Sequence, residues 1–168
     1  ASSEFNFSDS DGDSLDHVTI ETWPSNGSLL LSGVAVSAGD EISAANISNL
    51  VFRPAANANG TGYDSFTFSV NDGSVDSSST YTMTVNVTAV NDAPTAADST
   101  VTTNEDTAYV FDASDFGFSD VDSGAALASV KITSLESVGA LEYYNGSAWV
   151  DVTADQVITV ADINNDYL

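Results

Sequence analysis

The sequence contains no cysteine. No disulfide can therefore join its strands, and no metal site can be built from thiolates. Basic residues are almost as scarce: Arg53 and Lys131 stand against 25 Asp and Glu residues, which gives a net charge of −23 at pH 7. Because binding to phosphate requires clustered Lys and Arg, this charge argues against nucleic acid and anionic membranes as partners.

Long apolar runs and catalytic motifs are absent as well. No apolar stretch approaches the length of about 18 residues that a membrane-spanning helix requires, and no signal segment opens the chain. We therefore expect no membrane insertion and a soluble segment from the interior of a longer protein. His17 is the only histidine, and there is no nucleophile elbow, phosphate-binding loop or zinc-binding pattern, so we expect no enzymatic activity.

What the chain does contain is typical of an all-β protein. Thr, Ser, Val, Asn and Asp dominate, which favours strands joined by short turns. Alternating apolar and polar residues predict strands at 63–70 and 81–87, and the Asn-Gly pair at 145–146 predicts a type I′ hairpin turn. Helical turns are expected only near residues 44–47 and 161–164. Short strands separated by turn signals predict a β-sandwich of immunoglobulin type.

The chain also repeats itself. The pattern Phe-Ser-Asp-x-Asp at residues 7–11 recurs at residues 118–122, about 111 residues later, and further matches follow in the same order. We predict two tandem copies, residues 1–90 and 91–168. The first copy is expected to lack its opening strand or strands, and the second its closing strands. Exchange of strands between two molecules could complete both copies.

The acidic residues are grouped in short stretches that are rich in turn residues. Ca2+ takes about six to eight oxygen ligands, which carboxylates, amide carbonyls and backbone carbonyls provide. The suitable stretches are residues 9–13, 71–73, 91–92, 105–106 and 120–122. The first stretch is not an EF-hand loop, because Ser14 and Ile20 occupy the positions that require Gly and Glu. The alternative is that the acidic residues serve only to keep the chain soluble.

These stretches follow the order found in a known family. Residues 103–107 (Thr-Asn-Glu-Asp-Thr) and 118–122 (Phe-Ser-Asp-Val-Asp) resemble the opening of a cadherin repeat. Residues 71–73 (Asn-Asp-Gly) resemble its late loop, and residues 90–94 (Val-Asn-Asp-Ala-Pro) resemble its linker. More closely, the sequence resembles the bacterial cadherin-like tandem repeats of large secreted calcium-dependent surface adhesins.

The resemblance implies a cadherin-like Greek-key β-sandwich in each copy, a secreted or cell-surface location, and calcium at the junction between copies. Nine residues are the expected metal ligands: Asp9, Asp11, Asp72, Asn91, Asp92, Glu105, Asp106, Asp120 and Asp122. The linker residues among them would share one junction with Asp120 and Asp122. Asn57 and Asn59 occupy the place of an acidic motif of cadherins, so we do not expect a full cluster of three ions.

We therefore predict a structural extender of a bacterial cell-surface adhesin, with neighbouring repeats as partners and Ca2+ rigidifying the junction. The alternative is a carbohydrate-binding or homophilic adhesive module that uses surface aromatic residues. Trp23, Tyr143, Tyr144 and Trp149 could offer a platform on which a glycan stacks. Because Trp149 is expected to face Tyr144 across the predicted hairpin, packing between the two rings would explain them equally well.

Overall fold

The computed structural model describes residues 2–168, and its contacts divide the chain into two units, Ala1–Val90 and Asn91–Leu168. The division falls within the linker motif of residues 90–94. Each unit has a hydrophobic core of its own. None of the helices in residues 2–168 is long and apolar enough to cross a membrane.

The first unit is a sandwich of two antiparallel sheets. Its strands are β1 (His17–Thr22), β2 (Gly27–Leu31), β3 (Val34–Ala35), β4 (Glu41–Ser43), β5 (Leu50–Pro54), β6 (Gly60–Asn71) and β7 (Tyr81–Val87). One sheet has the strand order β4-β1-β6-β7 and the other has the order β3-β2-β5. Two 3₁₀ helices, Ser2–Phe5 and Ala44–Asn49, accompany the strands. The prediction of an all-β immunoglobulin-like sandwich is confirmed.

The core of the first unit follows from the alternation of its strands. Val18 and Ile20 on β1 are fully buried, and Phe66 and Phe68 on β6 are buried, because alternate side chains of a strand point to the same face. Leu29 enters the same core from the opposite sheet. Complete burial of an aliphatic or aromatic side chain stabilises a fold by about 1.5–3 kcal/mol, so this cluster accounts for much of the sandwich's stability.

Gly27 begins β2 at a point where the sheet leaves no room for a side chain. A Cβ at this position would collide with the ring of Phe52 and lie 2.8 Å from the carbonyl oxygen of Arg53, both on β5. We expect Gly27→Ala to lower the free energy of unfolding of the first unit by about 2 kcal/mol, because the crowded strand must shift. Urea denaturation measures this change. Ser28→Ala, at the exposed neighbouring position, is the control and should change the stability by less than about 0.5 kcal/mol.

The second unit is built from short strands and two helical turns. Its elements are a 3₁₀ helix (Ala113–Phe116), β8 (Ser129–Ile132), β9 (Glu142–Tyr144), β10 (Trp149–Asp151), β11 (Gln156–Thr159) and the helix α1 (Val160–Ile163). β8 pairs with β11 and β9 pairs with β10, both antiparallel. The buried side chains of this core are Val152, Ile158, Ile163 and Leu168.

The two units share local structure at matching positions. Val18 pairs with Ile42 in the first unit, and Val130 pairs with Ile158 in the second, so equivalent strands have the same register. The 3₁₀ helices Ser2–Phe5 and Ala113–Phe116 have the same spacing as the repeated Phe-Ser-Asp motif. Each is followed by a residue with positive φ, Asn6 at 40° and Gly117 at 55°.

The predicted type I′ turn in the second unit is wrong. The connection between β9 and β10 has four residues, and only Gly146 among them has a positive φ. The side chain of Asn145 instead accepts hydrogen bonds from the backbone N–H groups of Ser147 and Ala148, each at 3.0 Å. A two-residue turn with positive φ at both positions occurs in the first unit, at Ser32 and Gly33 between β2 and β3.

Helical turns were under-predicted. The expected turns are confirmed as Ala44–Asn49 and Val160–Ile163, whereas the 3₁₀ helices before the two Phe-Ser-Asp motifs were not predicted. In the second unit, the carboxylates of Asp112 and Asp115 accept reciprocal backbone hydrogen bonds at the start of this helix, which is a capping box. The backbone and side chain of Ser114 hold the pKa of Asp112 below its usual value.

Candidate functional site

The first acidic loop lies between the opening 3₁₀ helix and β1 of the first unit. Oδ1 of Asp9 accepts a hydrogen bond from the backbone N–H of Asp11 at 2.8 Å and another from that of Asp13 at 3.2 Å. Asp9 is half-buried, whereas Asp11 and Asp13 are exposed. The loop therefore presents several carboxylates within one short turn.

The matching loop of the second unit has the same turn. Oδ1 of Asp120 accepts a hydrogen bond from the backbone N–H of Asp122 at 2.8 Å. Oδ2 of Asp122 in turn accepts the N–H of Asp92 at 2.8 Å, while the side chain of Asn91 donates to the carbonyl oxygen of Asp92 at 2.7 Å. Four of the predicted ligands, two from the linker and two from the loop, are thus brought together within the second unit.

The oxygens of this loop belong to carboxylates, and two of them are free to bind a hard cation. Oδ2 of Asp120 and Oδ1 of Asp122 accept no hydrogen bond from any residue in the range 2–168. Carboxylate oxygens are ligands that Ca2+ prefers. In that same range, no three His, Asp or Glu side chains are already gathered into a metal-binding cluster. A bound ion would therefore need small side-chain movements and water ligands in addition.

Asp72 closes the turn that follows β6. Its Oδ1 accepts the backbone N–H groups of Val75 at 2.8 Å and Ser74 at 2.7 Å. These two hydrogen bonds hold the pKa of Asp72 below its usual value, so the side chain is ionised at neutral pH. Within the described part of the chain, no hydrogen bond links Asp72 to the loop of Asp9 and Asp11.

Glu105 and Asp106 lie in an exposed turn of the second unit. The turn is closed by the hydroxyl of Thr103, which donates to the carbonyl oxygen of Thr107 at 2.9 Å, and Asp106 has a φ of 60°. Neither carboxylate accepts a hydrogen bond from a residue that the structure describes. Local geometry thus accounts for this turn, and no hydrogen bond brings it to the other predicted ligands.

The aromatic residues of the second unit divide into a core member and a surface group. Tyr143 packs in the core, and burial raises the pKa of its hydroxyl. Trp149 is 49% exposed and contacts Tyr144 across the hairpin, with ring centroids 5.7 Å apart and planes tilted by 54°. The ring of Tyr167, which sequence reasoning missed, also contacts Tyr144, with ring centroids 5.1 Å apart. The exposed face available for stacking is therefore that of Trp149.

Sequence reasoning also missed Asp64, a buried carboxylate on β6. Its oxygens accept the backbone N–H groups of Ser25 at 3.1 Å, Asn26 at 2.7 Å and Ser65 at 2.8 Å. Burial raises the pKa of Asp64, but the hydrogen bonds outweigh burial, so the pKa lies below its usual value. The hydroxyl of Tyr63 donates to the carbonyl oxygen of Asn26, a second contact that holds the same loop. The sequence signal for this buried carboxylate was a charged residue, Asp64, within the alternating pattern of a predicted strand.

Comparison with known protein families gives a match for the first unit. Residues 2–88 match the model of a family described as bacterial Ig domain. The match spans more than half of the chain and covers the first unit almost completely. No curated protein and no solved structure matches the sequence.

Proposed function

The chain belongs to the bacterial Ig domain family, and we propose that it is a calcium-binding structural module of a bacterial cell-surface adhesin. Domains of this family are typically structural modules without enzymatic activity, which supports a mechanical role. They are often found outside the cell, where weak calcium sites with dissociation constants of about 10⁻⁴–10⁻³ M are effective.

The contact between the linker and the second acidic loop carries this proposal. Asp122 bonds to the backbone of Asp92, and one oxygen of Asp120 and one of Asp122 remain free to bind an ion. Two carboxylates that were brought to about 4 Å from each other to share one site would repel by about 4 kcal/mol at an effective dielectric constant of 20. A calcium ion bound by both would remove this repulsion and hold the linker against the loop.

The remaining ligands would come from the linker and from water. The side chains of Asn91 and Asp92 supply oxygens next to the loop, and both residues are exposed. With the linker fixed in this way, the start of the second unit becomes stiff, which is what a spacer between cell surface and target requires. Asp9 and Asp11, which form the same turn in the first unit, would have the same role there.

Isothermal titration calorimetry with Ca2+ tests this proposal directly. We expect saturable heat with a dissociation constant of about 10⁻⁴–10⁻³ M, and a weaker response to Mg2+, which demands a more rigid octahedral site. Absence of saturable heat up to about ten times that concentration would contradict the proposal and favour the view that the acidic residues only keep the chain soluble.

The exposed ring of Trp149 favours a second candidate function, carbohydrate binding. A sugar ring could stack on Trp149, which is 49% exposed and contacts Tyr144. If so, a glycan array should give specific binding that Trp149→Ala reduces by at least about tenfold, the effect of about 1.4 kcal/mol. Trp23→Ala, in the first unit, is the matched control, since Trp23 is also exposed. Equal loss in both variants, or no binding at all, would rule the candidate out.

A further inference from the structure

Three asparagines of the chain are followed directly by glycine, at positions 26–27, 59–60 and 145–146. An Asn-Gly pair is chemically labile, because glycine has no Cβ to keep its backbone nitrogen away from the side-chain amide of the asparagine. Attack of that nitrogen on Cγ forms a C–N bond, closes a succinimide ring and releases ammonia. Water then opens the ring and gives either aspartate or isoaspartate. The structure places the three pairs in different surroundings, so their reactivities should differ.

The pair at 145–146 lies in the exposed connection between β9 and β10. The two hydrogen bonds that Oδ1 of Asn145 accepts from the N–H groups of Ser147 and Ala148 close rings that contain the backbone nitrogen of Gly146. Negative charge develops on Oδ1 when this nitrogen attacks Cγ. Two backbone N–H donors stabilise such a charge, as they do in an oxyanion hole. The turn therefore activates the side-chain amide of Asn145 toward the residue that follows it.

The groups that must move in this reaction are free to do so. Within residues 2–168, neither the backbone N–H of Gly146 nor the carbonyl oxygen of Asn145 makes a hydrogen bond. The side-chain nitrogen of Asn145, which leaves as ammonia, has no hydrogen-bond partner in that range either. Residues 145–148 are all exposed. Water or hydroxide can therefore take the proton from the attacking nitrogen and later open the ring.

The pair at 26–27 is held on both sides. The backbone N–H of Asn26 donates to Asp64 at 2.7 Å, and the carbonyl oxygen of Asn26 accepts the hydroxyl of Tyr63. Gly27 lies against the ring of Phe52. Closure of the succinimide requires rotation of the peptide group between the asparagine and the glycine. Because these contacts oppose that rotation, the fold protects Asn26.

The pair at 59–60 lies at the start of a strand. Gly60 is the first residue of β6 and pairs with Val87 on β7, so its backbone is part of the sheet. The side-chain oxygen of Asn59 accepts no hydrogen bond from a residue that the structure describes. This pair therefore lacks the two donors that activate Asn145, although Asn59 is also exposed.

The first unit already contains the turn that one product would form. Asp72 is followed by Gly73 with a φ of 93°, close to the 91° of Gly146. Oδ1 of Asp72 accepts the N–H groups two and three residues ahead, which is the pattern found at Asn145. An aspartate at position 145 would thus keep both hydrogen bonds. An isoaspartate would instead lengthen the backbone by one carbon and disturb the pairing of β9 with β10.

We propose that Asn145 is a site of spontaneous deamidation, activated by the N–H groups of Ser147 and Ala148. The reaction converts the turn either to the aspartate form found at Asp72 or to a looser isoaspartate form. Both products add a negative charge to the hairpin that holds Trp149 against Tyr144. Water is the only other reactant, so the modification depends neither on calcium nor on a glycan.

Ageing of the full chain, in native buffer and in concentrated urea, tests the proposal by mass spectrometry. Cleavage after Lys131 releases residues 132–168, which hold one of the three Asn-Gly pairs, and fragment spectra locate the replacement of NH2 by OH. In the folded chain, Asn145 should react about tenfold faster than Asn26 and at least about threefold faster than Asn59. In urea, where the turn is lost, the three rates should agree within about twofold. Equal ratios in both conditions, or faster reaction of another pair in the folded chain, would overturn the proposal.

The NMR signals of the two indole N–H groups test the consequence for the hairpin. As the folded chain ages, the signal of Trp149 should split, whereas that of Trp23, in the first unit, should stay single. Asn145→Asp should reproduce one of the new signals, because it is one of the two products. Asn145→Gln, whose longer side chain closes the ring less readily, should prevent the splitting. An unchanged Trp149 signal in a chain that is deamidated at position 145 would show that the hairpin does not respond.

Discussion

Calcium at 100 times its dissociation constant, which is about 10–100 mM for the affinity proposed above, is expected to raise the melting temperature of the second unit by about 10 °C or more over its value in chelator. An ion at 100 times its dissociation constant adds about 2.7 kcal/mol to the free energy of unfolding. In a unit of under about 100 residues, each kcal/mol raises the melting temperature by about 4–8 °C. Differential scanning calorimetry with calcium and with chelator measures the difference.

Asp120→Asn should remove most of this calcium-dependent rise. The substitution removes one carboxylate from the loop but retains an oxygen that can accept the N–H of Asp122. The matched control is Asp151→Asn, which makes the same charge change at an exposed position on β10. If the control loses as much of the rise as Asp120→Asn does, the calcium effect is a general response to net charge and the assigned loop is wrong.

Asp64→Ala is expected to destabilise the first unit by about 3 kcal/mol. The three backbone N–H groups that donate to this carboxylate would lose a charged acceptor, and hydrogen bonds to charged groups contribute about 1.5–3 kcal/mol each before non-additivity is considered. Asp40→Ala is the control, because Asp40 accepts one such bond, from Ser37, at an exposed site. Urea denaturation should give a loss of less than about 1 kcal/mol for the control.

The carboxylate of Asp64 should also make the stability of the first unit depend on pH in the acidic range. Because the pKa of Asp64 is lowered in the folded state, the ionised carboxylate makes its full contribution to the free energy of unfolding above the usual carboxyl pKa of about 3.9. It is lost as the pH falls through the lower pKa of the folded protein. Stability measured from pH 5 to pH 2 should fall more steeply in the parent chain than in Asp64→Asn. Equal slopes would show that Asp64 does not titrate as its hydrogen bonds predict.

Local periodicity together with turn signals was sufficient to predict the all-β class and two of the strands. The alternation at residues 81–87 predicted β7 to the residue, and the predicted strand at 63–70 lies within β6. In both strands one face is more buried than the other, so apolar residues recur at every second position. This short period can be recognised from neighbouring residues in the sequence. The short 3₁₀ helices are less regular, and their main signal, the Asp-x-x-Asp pattern of the capping box at Asp112 and Asp115, is easily overlooked among so many acidic residues.

The candidate site was predictable only in part, for a similar reason. The turns of Asp9 and Asp120 are formed by hydrogen bonds over two residues, so local sequence indicates them. The contact between Asp92 and Asp122 spans 30 residues and was predicted from the resemblance to a linker motif. Asp64 accepts hydrogen bonds from Ser25 and Asn26, almost 40 positions away, and no pattern in the sequence predicts a contact between residues so far apart.

The pairing of β1 with β6 has a consequence for synthesis of the chain. His17 pairs with Asn71, so the central ladder of the first unit joins segments far apart in sequence and cannot form until β6 has left the ribosome. Contacts of such long range slow folding, because a large loop must close before they form. During this delay the apolar alternation of β6 is exposed, and it resembles the segments that start aggregation. The abundant negative charge, whatever its role in the folded module, keeps nascent chains apart until the second sheet can cover that strand.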